Sequence, residues 1–126
     1  EDEYEFGMGI HGEPGIKTNK FKNADEIVTE MVDALVVDSE LQSGDKVAVL
    51  VNGTGATTIL ELNIVYRKVQ KLLEERGVQI HDTIIGNHCT SLEMAGVSIS
   101  FLKLDSELEQ LYNQPAFTPY FYKRGY

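Results

Sequence analysis

The chain has 126 residues and a formal net charge of −9 at pH 7, with 42% apolar and 25% charged side chains. This length predicts one domain with one core, residues 1–126. The acidic charge argues against binding a nucleic acid or an anionic membrane surface, because both need basic groups. No apolar run predicts a transmembrane span. Cys89 is the only cysteine, so the chain cannot form an internal disulfide, as is typical of proteins in the reducing cytoplasm.

The first predicted elements are a strand over residues 4–11 and a loop over residues 12–22. Asn23 then caps a helix, because Glu26 stands three positions further on, as in a capping box. The near-continuous apolar run KVAVLVN at 46–52 predicts a central strand of a parallel or doubly covered sheet. The predicted buried stripe of the first helix consists of residues four apart, Ile27, Met31 and Leu35.

A glycine turn at 53–55 leads into a long predicted helix over residues 58–76, and Gly77 follows it as a helix stop. The apolar face of this helix is predicted to consist of Leu62, Val65, Val69 and Leu72. The remaining predicted elements are a strand over 78–87, a short turn over 90–96, a strand over 97–104, a helix capped by Asp105 and ending near Asn113, and an irregular aromatic tail after Pro115.

The element order β-α-β-α-β-β-α predicts a two-layer α/β domain. Its mixed β-sheet should have about four or more strands, with the helices mainly on one face. Strands joined by a helix should be parallel with right-handed crossovers, whereas the last two strands have a short connection and should run antiparallel. A single helical layer leaves the other sheet face to another domain or subunit.

The strongest candidate site is His11, set in the glycine-rich segment GIHGEPG at residues 9–15. Glycines beside a side chain let a ligand approach closely, and a neutral imidazole is a nucleophile near pH 7. Glu13 lies within reach of the ring, and either its carboxylate or a backbone carbonyl can orient the imidazole. The alternative interpretation is a surface histidine in a strand-to-loop turn.

Three further motifs are interpreted as structural. The turn GTGAT at 53–57 precedes a helix, where anions can bind, but it lacks a P-loop lysine and the glycine spacing of dinucleotide folds. His88 and Cys89 are predicted to point to opposite faces of a strand, with Cys89 buried, so they form no nucleophilic pair. His81 is predicted to be a partly exposed surface group, and the histidines show no metal-ligand spacing, so no metal site is predicted.

Four segments in the correct order carry a resemblance that covers nearly the whole chain. They are GMGIHGEPG at 7–15, VNGTG at 51–55, ELNIVYRKV at 61–69, and TSLEMAGVS at 90–98 followed by LKLD at 102–105. With them the chain resembles the second, C-terminal domain of the dihydroxyacetone-binding subunit of bacterial phosphoenolpyruvate-dependent dihydroxyacetone kinases. The resemblance implies a fragment without the N-terminal domain, which in that family supplies most pocket walls, a second histidine and a catalytic aspartate.

The resemblance implies that His11 is the catalytic and substrate-binding residue. In the family this histidine forms a reversible hemiaminal with the ketone, which excludes glycerol and leaves a terminal hydroxyl free for phosphorylation. No cofactor is expected in this chain, since ATP or ADP with Mg is expected on a separate helical kinase subunit and phosphate comes from a phosphotransferase protein. The implied protein is a cytoplasmic homodimer, and this domain alone should not transfer phosphate.

Three alternatives stay open at this point. Some relatives of this subunit bind the same ketone but act as transcriptional co-activators, and they keep the same histidine motif. The second alternative is that the domain serves mainly as a dimer interface, with the aromatic tail as its contact surface. A related single-chain, ATP-dependent kinase is the third alternative.

Overall fold

The computed structural model describes residues 2–9, 11 and 13–125. Ile10, Gly12 and Tyr126, which the sequence analysis assigns to the first strand, the glycine-rich loop and the aromatic tail, lie outside the described residues. Within the described part the elements are β1 (Glu3–Phe6), β2 (Lys17–Lys20), α1 (Ala24–Asp38), β3 (Lys46–Gly53), α2 (Ile59–Glu75), β4 (Gln79–Gly86), β5 (Val97–Leu104), α3 (Ser106–Tyr112), β6 (Ala116–Phe117) and β7 (Tyr122–Lys123).

The central sheet has the order β4-β3-β5 and is mixed. Strand β3 runs parallel to β4, with α2 as the crossover between them, and antiparallel to β5. The predicted mixed α/β class is therefore confirmed, but among the described residues the central sheet has three strands and not the four or more expected, because β1 pairs elsewhere. The last two predicted strands do run in opposite directions, but they are not neighbours, because β3 lies between them.

Helices α1 and α2 cover one face of this sheet. The alternating residues Val47, Val49 and Val51 of β3 point to that face and pack in one core cluster with buried side chains of both helices. Helix α3 lies against the opposite face, where Lys46 binds Glu109. The helices thus lie mainly on one face, as predicted, and α3 is an addition on the other face.

The first predicted strand does not belong to the central sheet. Strand β1 ends at Phe6, and the chain turns back at Gly7, whose φ of +77° favours glycine. It then forms β2, which pairs antiparallel with β1 in a separate two-stranded sheet. The prediction of a strand through residue 11, parallel to the central strand, is therefore wrong. Strand β1 pairs instead with the polar segment KTNK at 17–20, which lacks the apolar alternation that predicts a strand.

Helix α1 begins as predicted, but its buried face is shifted. The Asn23 side chain accepts the Glu26 N–H at 2.9 Å, and the Glu26 carboxylate accepts the Asn23 N–H at 3.1 Å. The most buried side chains are Val28 and Val32. The predicted stripe is half-buried instead, because α1 packs against both α2 and the sheet and therefore buries a broader face; its members are Ile27, Met31 and Leu35.

Helix α2 matches the sequence closely. Thr58 and Glu61 form a capping box at its start, and Gly77 follows its end with a φ of +71°. All four predicted core residues are buried, together with Leu73. They are Leu62, Val65, Val69 and Leu72. Among the described residues, none of the helices is both long and apolar enough to span a lipid bilayer.

The C-terminal part also follows the prediction, with one addition. Asp105 caps α3 by accepting the Leu108 N–H at 2.8 Å, and Asn113 ends the helix. The turn predicted at 90–96 is present, and the Met94 N–H closes it by donating to the Ser91 carbonyl at 3.0 Å. The tail that was predicted to be irregular contains the short β6–β7 hairpin, whose turn is closed by a bond from the Thr118 N–H to the Phe121 carbonyl at 2.8 Å.

Candidate functional site

The loop that carries His11 projects from the end of the β1–β2 hairpin. At the base of the loop, the Ile16 N–H donates to the Phe6 carbonyl at 2.7 Å. Gly7 turns the chain there with a positive φ. The loop is therefore anchored at both ends by the hairpin, which is separate from the central sheet.

Two carboxylates hold the described part of the loop. Glu13 accepts the His11 N–H through Oε2 at 3.0 Å, and its own carbonyl accepts the Gly9 N–H at 3.0 Å. Glu5 accepts the Gly15 N–H through Oε1 at 2.6 Å. A Cβ on Gly9 would overlap the Glu13 carboxylate, so glycine at this position is what permits the close approach.

The His11 ring is open to solvent and lies beside a carboxylate. Its side chain is 85% exposed, and its Nδ1 lies 3.5 Å from Glu13 Oε1. Hydrogen bonds from the backbone N–H groups of Glu13 itself and of His11 lower the pKa of the Glu13 carboxyl below its ordinary value of 4.5. Glu13 is thus anionic at neutral pH. The structure places this carboxylate, one of the two predicted orienting groups, next to the ring.

The hairpin is tied to α1 by ion pairs. Glu30 of α1 pairs with Lys17 Nζ at 3.0 Å and also with Lys22. Hydrogen bonds from Lys22 and Lys17 lower the pKa of Glu30. Beside them the rings of Tyr4 and Phe21 stack at a centroid distance of 6.3 Å. The position of the His11 loop relative to the sheet therefore depends on surface contacts, which are individually weak.

The glycine turn at 53–57 is structural, as predicted. The N–H groups of Thr54 and Ala56, which an anion would need, donate to the carbonyls of Gly96 and Met94 at 3.1 and 3.0 Å. Gly55 has a φ of +137°, and a Cβ there would overlap a backbone carbonyl of the same facing loop. The turn therefore fastens the loop before β5 to the start of α2, and these two N–H groups are not available to a phosphate.

The residue that sequence reasoning missed is Asn52, the one buried polar side chain of the described core. Its Nδ2 donates to the Cys89 carbonyl at 2.8 Å and to Ser98 Oγ at 3.2 Å. Its Oδ1 accepts the N–H groups of His88 and Cys89, both at 2.8 Å. The sequence signal that could have identified it is an amide side chain near the end of the otherwise apolar strand β3.

The prediction for Cys89 is wrong. Strand β4 ends at Gly86, so His88 and Cys89 lie in a loop, where strand alternation does not apply, and the thiol is exposed. Their backbone is held by the buried amide of Asn52. Among the described residues, no hydrogen bond joins the side chains of His88 and Cys89.

The third histidine, His81, belongs to a polar cluster between β4 and α3. Its Nε2 lies 2.7 Å from Asn113 Oδ1, and its Nδ1 lies 3.6 Å from Glu109 Oε1. The side chain is partly exposed, as predicted. Within residues 2–9, 11 and 13–125, no three His, Cys, Asp or Glu side chains converge as a metal site would require. Two open depressions, of about 670 and 340 Å³, are not lined by His11.

Comparison with known sequences gives a consistent assignment. The model of the Dak1 domain matches residues 1–120. The dihydroxyacetone-binding subunit DhaK of PTS-dependent dihydroxyacetone kinase 2 from Listeria innocua is 45% identical over 121 residues, 96% of this chain and 37% of that protein. The DhaK subunit of the PEP-dependent dihydroxyacetone kinase of Escherichia coli is 39% identical over 143 residues, covering 94% of this chain and 40% of that protein.

Solved structures are similar over 90% of the chain. The dihydroxyacetone kinase operon co-activator Dha-DhaQ superimposes with a TM-score of 0.81 at 34% identity, over 36% of its own chain. The dihydroxyacetone kinase of C. freundii in complex with AMP-PNP and Mg2+ gives a TM-score of 0.76 at 30% identity, over 20% of its chain. This chain spans about two fifths or less of the length of these relatives. Both the family match and the identity across nearly the whole sequence show that the chain belongs to the Dak1 domain family.

Proposed function

We propose that this domain captures dihydroxyacetone for phosphorylation, and that His11 forms a reversible hemiaminal with the ketone. The observation that carries the proposal is the environment of the His11 ring, which is 85% exposed and has a carboxylate beside Nδ1. The ring therefore presents its second nitrogen to an incoming carbonyl. The similarity to DhaK subunits named for dihydroxyacetone binding supports the choice of substrate.

The covalent step explains selectivity between ketones and polyols. Addition of an imidazole N–H across a C=O bond forms a C–N bond and converts the carbonyl oxygen to a hydroxyl. Glycerol has the same hydroxyl groups but no electrophilic carbon, so it cannot form the adduct. The bond also fixes the substrate so that one terminal hydroxyl points away from the ring for transfer of a phosphoryl group.

We further propose that this domain works with another domain and with a separate nucleotide-bearing subunit. The loop around His11 is exposed and lines neither depression of the described chain, so the remaining walls of a pocket have to come from elsewhere. Phosphoryl transfer by the isolated domain is not expected. We assign the binding of ATP or ADP with Mg to that separate subunit.

The experiment uses the full-length protein and dihydroxyacetone with a ¹³C label at the ketone carbon. We expect binding to convert the carbonyl resonance into that of a tetrahedral carbon, and His11→Ala to abolish the change. His88→Ala is the matched control, since His88 is also exposed but lies in another loop. Normal ketone capture or normal turnover in the His11→Ala variant would contradict the proposal.

A co-activator function is the second candidate, because a co-activator is among the similar solved structures. The co-activator Dha-DhaQ superimposes with a TM-score of 0.81, compared with 0.76 for the C. freundii kinase. Both functions use ketone binding, so His11 does not separate them. Co-purification separates them, because a kinase component should retain a nucleotide-binding subunit, whereas a co-activator should retain a DNA-binding regulator.

The homodimer is proposed with the aromatic tail as its contact surface. Phe117, Tyr120 and Tyr122 are 81%, 98% and 64% exposed, and aromatic side chains are enriched in protein interfaces. Size-exclusion chromatography of full-length protein with and without the residues after Pro115 tests this surface. An unchanged dimer after truncation would assign the contact to another part of the protein.

A further inference from the structure

We propose that Glu13 is a positioning residue that keeps the proton of the neutral His11 ring on Nδ1, so that Nε2 carries the lone pair that attacks a ketone. This inference rests on the proposed function for the attack itself. The position of the ring proton is a property of the free protein, however, and it can be measured without any ketone.

One oxygen of the Glu13 carboxylate binds the backbone of His11, and the other lies beside the ring of His11. Oε2 accepts the His11 N–H at 3.0 Å, and Oε1 lies 3.5 Å from His11 Nδ1. Because the first oxygen is fixed by the backbone, the second is directed to one particular ring nitrogen. A carboxylate beside one imidazole nitrogen favours the tautomer that is protonated there.

The backbone is shaped to receive this carboxylate. A Cβ on Gly9 would overlap Glu13 Oε2 and approach Cδ, while the Gly9 N–H donates to the Glu13 carbonyl at 3.0 Å. Glycine thus accommodates the side chain of Glu13 and also binds its main chain. The loop thus holds the Glu13 carboxylate over Gly9, beside the ring of His11.

The charge of Glu13 fits the role. Hydrogen bonds from the N–H groups of Glu13 and His11 keep its pKa below the ordinary value, so it remains an anion and an acceptor at neutral pH. During addition, the Nε2 lone pair forms the bond to the carbonyl carbon and the C=O π pair moves to oxygen. The resulting alkoxide takes a proton from water, and the Nδ1 proton leaves the ring. The Glu13 carboxylate, whose Oε1 lies 3.5 Å from Nδ1, stabilises the transient imidazolium and can accept that proton.

A purely structural role would be to hold the loop, and Glu5 offers the matched comparison. Glu5 Oε1 accepts the Gly15 N–H at 2.6 Å and packs against that glycine, as Glu13 does with Gly9. No contact of Glu5 with the His11 ring is found in the described residues. Glu5→Gln therefore perturbs the support of the loop without touching the imidazole.

The deciding variant is Glu13→Gln, because an amide has one acceptor and one donor. The His11 N–H requires the acceptor oxygen, which leaves the NH₂ group facing Nδ1. An NH₂ donor favours an unprotonated Nδ1 and moves the ring proton to Nε2. Glu13→Gln should therefore reverse the tautomer of His11, and the reversed ring has no lone pair on Nε2.

The experiment is ¹⁵N NMR of imidazole-labelled full-length protein, with the His11 signals assigned by their loss in His11→Ala. We expect the Nδ1–H tautomer in the unmodified protein and in Glu5→Gln, and the Nε2–H tautomer in Glu13→Gln. Dihydroxyacetone affinity should fall about 10- to 100-fold in Glu13→Gln, the range found for carboxylates that orient metal-binding histidines. Gly9→Ala, which displaces the carboxylate without changing charge, should also lose the Nδ1–H tautomer.

An Nε2–H tautomer in the unmodified protein, or the same tautomer in Glu13→Gln and the unmodified protein, would overturn the role of Glu13. Equal loss of ketone affinity in Glu5→Gln and Glu13→Gln, with no change of tautomer, would assign both residues to loop support alone. A protein with the expected tautomers but no ketone adduct would support Glu13 as the orienting group and contradict the proposed function instead.

Discussion

Replacing Asn52 by alanine should destabilise the protein substantially although no apolar core is lost. Asn52 is 2% exposed, and its amide makes four hydrogen bonds. Three of them go to the backbone of His88 and Cys89, and the fourth goes to Ser98. Alanine removes the amide and therefore all four hydrogen bonds at once. The loop after β4 then loses the interactions that fix it to the end of β3.

The size of the effect follows from the number and surroundings of these bonds. A hydrogen bond contributes about 0.5–1.5 kcal/mol net, so four contribute roughly 2–6 kcal/mol. His88 and Cys89 are exposed, so water can replace part of the loss on the loop side. We therefore expect the free energy of unfolding to fall by about 2–4 kcal/mol, a large part of the 5–15 kcal/mol typical of native proteins.

Urea unfolding at equilibrium measures this loss, with the slope of the transition expected to stay constant. Ser98→Ala is the control, because it removes a single bond of 3.2 Å and should cost about 1 kcal/mol or less. Hydrogen exchange adds a local readout, since the His88 and Cys89 amides should lose protection in Asn52→Ala. A loss of stability no greater than in the control, with both amides still protected, would refute the reasoning.

Three further predictions concern stability. Leu73→Ala should lower the free energy of unfolding by about 2–5 kcal/mol in chemical denaturation, because the side chain is fully buried; a loss below about 1 kcal/mol would mean that the site collapses freely. Gly77→Ala should cost about 1–2 kcal/mol or more by the same assay, since its φ is +71° and a Cβ would overlap Ser43; an unchanged midpoint would contradict this. The hydrogen bond and charge of Lys46 lower the pKa of Glu109, so the pair stabilises the fold above the ordinary value of 4.5 and loses that contribution as pH falls through the lowered pKa. Glu109→Gln should therefore lower the urea midpoint at pH 7 and make it less sensitive to acid, whereas equal midpoint shifts at pH 7 and pH 3 would exclude the ion pair as the cause.

Elements with one dominant local signal were predictable from the sequence. Strand β3 is a continuous apolar run, and α2 has a capping box, a regular buried stripe and a following glycine. Each of these features acts through neighbours within a few residues, so no knowledge of the tertiary structure was needed. The glycine-rich loop was identified for the same reason, and the proximity of Glu13 to His11 follows from a spacing of two residues.

Features decided by partners distant in sequence were not predictable in the same way. Strand β2 is polar throughout and exists because β1 pairs with it, so its composition did not reveal it. Cys89 was assigned to a strand that ends three residues earlier, and what fixes its loop is Asn52, 37 residues away. The shift of the buried face of α1 likewise depends on the packing of α2 and the sheet against it.

The separation of the β1–β2 hairpin from the central sheet has a consequence for the energetics of ligand capture. A two-stranded hairpin is marginally stable alone, and this one is tied to α1 by the ion pair between Lys17 and Glu30. Its backbone bonds can open while the central sheet stays intact, so its amides should exchange with solvent well before those of β3. A molecule bonded to His11 would then stabilise the hairpin more than the rest of the domain. Occupancy of the site should therefore be visible as slower exchange confined to the first two strands, with the melting of the core almost unchanged.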